Sequence, residues 1–344
     1  MFEGIARSVS DFRGSDCTAC WGGFIGPGRA PGEYVSHRMS KDESSSILPL
    51  ATANKLARLT TPIPALPMTM DTDAIFRGWI NHVSFWKPDG VQKYLATSGH
   101  FFVGILEDGR TVLKYPHRKT PETMSCLREE ADRYARLGLH ENLVTYKGFN
   151  EDGLLLEYCE RGVLSDLIEG PFVLTDFHKS VIGNQIVRCL AFFHRRNYIH
   201  CDMHVRNVFL SSELVAKVGD LQGQLYRDDG SIEMETMSQE DAKSRHPDAG
   251  DHEFTPRTDI FALGTLLYHL WHGHPPFPEL DIHAHHDLIE TRFRERDYPA
   301  DLSRESGMDM IIGKCWDSEY ERADEILDDM CKLDTKDLAS TLLT

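Results

Sequence analysis

The chain has 344 residues, 41% of them hydrophobic and 26% charged, which is ordinary for a soluble globular protein able to bury a sizeable core. Its 37 basic and 54 acidic residues leave a formal net charge of -17, which argues against non-specific binding to nucleic acid or to anionic membranes and favours cationic partners or basic substrate segments. The first residues, MFEGIARSVSDF, hold no basic region followed by a long apolar run, and the longest apolar stretch, Ile260 to Trp271, is interrupted by Gly264 and His269 and is too short to span a membrane. The expectation is a soluble cytoplasmic protein, with nuclear entry open, whose scattered cysteines stay reduced.

Residues 1–71 are rich in Gly, Ser and Pro (GGFIGPGRAPGE, KDESSS, TPIPALP) and lack apolar periodicity, so they are expected to be disordered. Within them Cys17 and Cys20 form a lone CxxC with no second pair to complete a zinc site. Residues 72–91 carry Phe76, Trp79, Ile80, Val83, Phe85 and Trp86 and read either as a linker or as a short element packed on the next domain. From 92 onward the pattern changes. VQKYLATS and FFVGILEDGRTVLKY predict three strands, with Asp108-Gly109 turning the second into the third. Thr120-Pro121 opens a helix that ends at Leu137-Gly138. NLVTYKGF and GLLLEYC supply two further strands around Glu151-Asp152-Gly153, giving a five-stranded sheet with one helix. After Cys159 the chain turns helical. Thr175 caps a long helix with Phe177, Val181, Ile186, Cys189, Leu190 and Phe193 as its apolar face. Residues 258–272 are apolar nearly all round and belong in the centre of a domain. A β-rich lobe of residues 92–158 followed by an α-rich lobe of 159–335, with a tail of 336–344, leaves a cleft suited to a nucleotide.

The chemistry concentrates in Ile199-His200-Cys201-Asp202-Met203-His204-Val205-Arg206-Asn207. Two polar groups five residues apart on one loop divide the labour. Asp202 can orient and deprotonate an attacking hydroxyl, and Asn207 can bind a metal that bridges phosphates. Val218-Gly219-Asp220 then ends a short strand on a hard oxygen ligand suited to Mg²⁺.

This constellation resembles the protein kinase family, with its HRDxxxxN catalytic loop and DFG metal motif. The resemblance covers roughly residues 92–335 and implies a bilobal α+β fold, ATP and Mg²⁺ as cofactors, and a protein hydroxyl, Ser or Thr, as acceptor. Thr111-Val112-Leu113-Lys114 is similar to the VAIK strand, so Lys114 would hold the α- and β-phosphates and Glu130 would pair with it. Leu156 would be the gatekeeper, the backbone of Glu157 and Cys159 would meet adenine, and Asp166 would reach the ribose. Ala96, Ser98, Gly99 and Val103 fall where the Gly-rich loop would cover the phosphates. Asp259, in RTDIFALG, would brace the catalytic loop around His200, and Asp248 would pair with Arg322.

Several positions depart from the family. Gly99 is the sole glycine of ATSGHFFV, Cys201 replaces the HRD arginine, and the metal motif reads Asp220-Leu221-Gln222, where Gln222 lacks the freedom of glycine. His204 stands where a lysine is usual and resembles the HGDxHxxN loop of aminoglycoside and choline kinases; in contact with the γ-phosphate it would act as a cation. Three functions are therefore open: a protein kinase, a pseudokinase scaffold, and a small-molecule kinase. The stretch from Glu233 to Asp241, with Ser231, Thr236 and Ser238 about it, reads as a solvated loop or a phosphorylation segment. His283, His285 and His286, near His272 and His274, offer metal-ligand chemistry without accompanying cysteines.

Overall fold

Strand alternation builds the first lobe. In a computed structural model, which describes residues 86–98, 100–303 and 307–341, strands β1 (Val91–Ser98), β2 (Phe101–Leu106), β3 (Thr111–Pro116), β4 (Tyr146–Phe149) and β5 (Leu154–Glu157) form one antiparallel sheet in the order β1-β2-β3-β5-β4. Asp108 makes the β2–β3 turn: its carboxylate accepts the backbone N–H groups of Arg110 and Thr111 at 2.9 and 2.8 Å, and Gly109 takes a φ of 64°. Val103 lies opposite Lys114, which lies opposite Leu154. Alternation then puts Val112 and Lys114 on one face of β3 and Leu113 and Tyr115 on the other. Helix α1 (Pro121–Leu137) crosses the Lys114 face. Thr120 caps it in a reciprocal capping box with Thr123, Pro121 fits its first turn, and Gly138 ends it at φ 75°. The expectations for residues 1–71, for most of 72–91, for Cys17 and Cys20 and for Gly99 lie outside the described residues.

The second lobe is mainly helical. It runs through β6 (Gly162–Val163), α2 (Leu164–Glu169), α3 (Asp176–His194), β7 (Tyr198–Ile199), a 3-10 turn at Val205–Asn207, β8 (Val208–Leu210), β9 (Ala216–Val218), β10 (Gln224–Tyr226), β11 (Ile232–Met234), α4 (Pro256–His272), α5 (His286–Arg294), α6 (Gly307–Trp316) and α7 (Ala323–Thr341). The short strands pair as β6-β8-β9 and β11-β10-β7. Helix α4 is buried without a break from Thr258 to Leu270, as a helix apolar nearly all round demands. Gly264 lets α6 approach it, because a Cβ there would sit 2.8 Å from the Cβ of Cys315. Among the described residues no helix is long and apolar enough to cross a membrane.

Three expectations need correction. In α3 the buried face is Ile182, Ile186, Cys189, Leu190 and Phe193, while Phe177 and Val181 are exposed; they lie one residue off the 182, 186, 189 spacing and point outward. The segment 142–145 does not extend β4. Asn142 and Val144 bond Val218 instead, at 2.8 and 2.9 Å, and so stitch the first lobe to the second. The C-terminal helix runs past the expected boundary at 335 to Thr341.

Candidate active site

The site forms where β3, α1 and the loops flanking β8 and β9 meet. Lys114 is buried, and its Nζ lies 2.7 Å from Glu130 of α1 and 2.6 Å from Asp220 after β9. Burial alone would discharge this lysine, but the Asp220 and Glu130 carboxylates outweigh it and hold the amine protonated. Burial alone would raise Asp220, but Lys114 and a hydrogen bond from Gln222 keep its carboxyl below the ordinary range. Burial pushes Glu130 up against the pull of Lys114. Asp220 has a φ of 60°, which turns its carboxylate back toward β3.

Asp202 and Asn207 face one another across the catalytic loop. The Asn207 amide donates to the Asp202 carboxylate at 2.8 Å and to its carbonyl at 2.9 Å. Burial raises the Asp202 carboxyl, while His200 and Asn207 oppose the shift. The loop hangs from α4. Asp259, fully buried, accepts the backbone N–H groups of His200 and Cys201 at 2.8 and 2.9 Å and meets His194 Nε2 at 3.1 Å. That grip holds Cys201 at a φ of 62°. His200 Nε2 lies 3.1 Å from the carbonyl of Gly219, joining the catalytic loop to the Asp220 loop. An amide oxygen on Asn207 and a carboxylate on Asp220 are hard donors that fit Mg²⁺.

His204 is not the cation its position suggests. Its Nδ1 caps the 3-10 turn by accepting the Arg206 N–H at 3.2 Å, which leaves Nε2 to face Asp241 at 3.7 Å. Burial pushes its pKa down to about 4, so the ring is neutral near pH 7. The exposed cation of this loop is Arg206, 3.7 Å from Asp241. Asp248 and Arg322 do not pair either. Asp248 meets Arg294 at 3.4 Å and Arg322 meets Glu325 at 3.7 Å, because the neighbouring α5 brings a guanidinium to the shorter carboxylate.

Gln222 needs no glycine's freedom, since it is absent from the residues with positive φ. The glycine that the turn requires comes one residue later. A Cβ at Gly223 would stand 2.0 Å from the carbonyl oxygen of Ile199. The segment from Glu233 to Asp241 is only partly solvated. Glu233 pairs with Arg136 of α1 and Glu240 is buried, with burial and the charges of Asp259 and Asp202 raising its pKa to about 8. Sequence reasoning missed Glu240, and it missed Arg133, which is fully buried on α1; a charged residue on a helix gives no local sign that it points inward. The displaced glycine was visible in the run Asp220-Leu221-Gln222-Gly223.

The positions expected to meet a nucleotide are spread over β1, β2, β5 and the start of α2. Leu156 is buried on β5, Cys159 is buried just beyond it, and Asp166 is exposed in the first turn of α2. The Glu157 side chain turns away to Lys217, at 2.9 Å, leaving only its backbone for a ligand. Ala96 and Val103 pair across β1 and β2, and Ser98 pairs with Phe101 at the tip. The histidines divide. His272 and His274 bond Asp301 and Asp309, whereas His286 brings its donor within 4.8 Å of Asp287 and Glu290 on the surface of α5.

Comparison with known proteins agrees with this geometry. The chain is 29% identical to the cell cycle serine/threonine-protein kinase CDC5/MSD2 of Saccharomyces cerevisiae over 44% of its own length and 23% of that protein's. It is 29% identical to the serine/threonine-protein kinase plk-1 of Caenorhabditis elegans, over 56% of this chain and 30% of the relative, and 27% identical to the tyrosine-protein kinase csk-1 of the same organism, over 57% and 38%. It thus spans well under half the length of these relatives. The family model for the protein kinase domain matches residues 110–341, two thirds of the chain. With the Lys114–Glu130 pair, the Asp202–Asn207 loop and Asp220 at one place, the chain belongs to the protein kinase domain family.

Proposed function

We propose that the protein transfers the γ-phosphate of ATP to a serine or threonine hydroxyl of a protein substrate. The observation that carries this reading is the charged Lys114 held 2.7 Å from Glu130 and 2.6 Å from Asp220, with Asp202 and Asn207 bonded to each other beside them. Lys114 binds and orients the α- and β-phosphates. Asp202 accepts the hydroxyl proton as the acceptor attacks, and Asn207 keeps that carboxylate aimed. Asn207 and Asp220 would hold Mg²⁺, which supplies charge neutralisation on the phosphates when bound. Phosphoryl transfer is mostly positioning plus charge stabilisation, so these groups suffice. The excess of acidic residues favours acceptor sites in basic segments.

One observation favours the scaffold reading. Phe101 at the start of β2 is buried, and Lys114 Nζ lies 5.7 Å from its ring centre, so an aromatic ring stands close to where phosphates would approach. Incubation of the purified chain with Mg-ATP and a panel of Ser, Thr and Tyr peptides separates the readings. Phosphate on Ser or Thr supports a protein kinase; ATP binding by thermal shift with no transfer to any acceptor supports a scaffold.

A further inference from the structure

Arg133 is the largest fully buried side chain of the described residues that carries a charge, and it does not pair closely with a carboxylate. It lies one helical turn beyond Glu130 on α1. Its Nε donates to the carbonyl of Gly223 at 2.8 Å, and its Nη2 donates to the carbonyl of Glu235. The Glu129 carboxylate stays 4.0 Å away. A guanidinium taken out of water is costly to leave without acceptors, so these two carbonyls fix where the helix can sit. The two carbonyls belong to adjoining strips of the segment after Asp220. Met237 N–H donates to Gln222 at 2.7 Å and Thr236 N–H donates to the Gln224 side chain at 2.8 Å, so residues 222–224 and 235–237 run side by side. Gly223 is itself pinned by its N–H, which donates to the buried Tyr198 hydroxyl at 3.0 Å. Outside, Arg136 pairs with Glu233.

The same segment has little use for a phosphate. It packs over Cys201, which is fully buried and uncharged. Of the hydroxyls at Ser231, Thr236 and Ser238, the Thr236 Oγ1 donates to the carbonyl of Ser238 at 2.7 Å, the Ser238 Oγ is buried, and only the Ser231 Oγ is exposed, donating to Asp229 at 2.6 Å well away from the two carbonyls that Arg133 bonds. We propose that Arg133 is a positioning residue that couples α1 to the segment after Asp220, holding Glu130 against Lys114 with no covalent modification of that segment. Its consequence for turnover rests on the phosphotransfer reading; the clamp itself does not.

The test uses the full chain as wild type, Arg133→Met and Arg133→Lys, followed by hydrogen exchange over residues 121–137 and 223–237 and by steady-state kinetics. Loss of two charge-assisted bonds should raise exchange in 223–237 by about tenfold or more and lower kcat by a similar factor, with a smaller change in KM for ATP. Arg133→Lys, which reaches one carbonyl, should fall between. Phosphatase treatment of the wild type should change neither readout. Unchanged exchange in Arg133→Met overturns the clamp, as does the same loosening in phosphatase-treated wild type. Should Arg133→Met melt without cooperativity, Arg133→Lys decides, and wild-type exchange and kcat in that variant overturn it. A wild type that transfers no phosphate removes the proposed activity, while the exchange data still judge the clamp.

Discussion

Glu240→Gln should stabilise the protein, and by an amount that depends on pH. Glu240 is buried, its Oε1 has no hydrogen-bond partner, and burial together with Asp259 and Asp202 raises its pKa from 4.5 to about 8 against a smaller pull from Arg245. A carboxyl whose folded pKa is raised holds its proton more tightly in the native state. Its contribution is complete below about pH 4.5, is lost steadily as pH rises toward 8, and stays lost above that. A full shift of this size corresponds to on the order of 5 kcal/mol at 1.36 kcal/mol per unit. Glutamine has no proton to lose, so its advantage over glutamate should grow by about 2 kcal/mol between pH 6 and pH 8 and then level off. Urea unfolding of both proteins at half-unit steps from pH 6 to 8.5 reads this directly and avoids the isoelectric region near 5.4. An advantage independent of pH, or a glutamine variant less stable at pH 8, would refute the burial argument.

Lys114→Met should abolish transfer and also cost roughly 3 kcal/mol, because it leaves Glu130 and Asp220 without their shared cation; paired activity and melting measurements show both effects or contradict the assignment. Gly223→Ala should lose activity and soluble yield, since its Cβ would strike the Ile199 carbonyl at 2.0 Å, and a well-folded active alanine variant would rule out that contact. His204, neutral with a pKa pushed down to about 4, should add no limb to the pH–rate profile above pH 6. The profiles of wild type and His204→Asn should share one shape from pH 6 to 8, and an alkaline fall near 6.5 confined to the wild type would restore a cationic role.

Much of this architecture was legible because local signals were strong. Asp108-Gly109, the Thr120 and Thr175 caps and the mostly apolar Ile260–Leu270 run each dictate one element, and each element formed. Asp202, Asn207 and Asp220 stood out because their types and spacing are chemical, and Lys114 because its strand resembles the family's VAIK strand. What stayed hidden depends on which way a side chain turns. His204 occupies a lysine's place, yet its Nδ1 is taken by a backbone N–H and its ring is largely covered. Arg133 and Glu240 look like solvated charges in sequence, and only packing between distant segments puts them inside. The Asp248–Arg322 pairing failed because α5 supplied a nearer guanidinium, which no local pattern records.

The decisive measurement is phosphotransfer by the purified chain, followed with labelled Mg-ATP and a Ser/Thr peptide panel beside an Asp202→Asn control. Label should appear on serine or threonine with the wild type and fall by roughly 10²–10⁴-fold in the control, the range for a positioned general base. Label at equal rates from both proteins, or none from either, would contradict a protein kinase that works through Asp202.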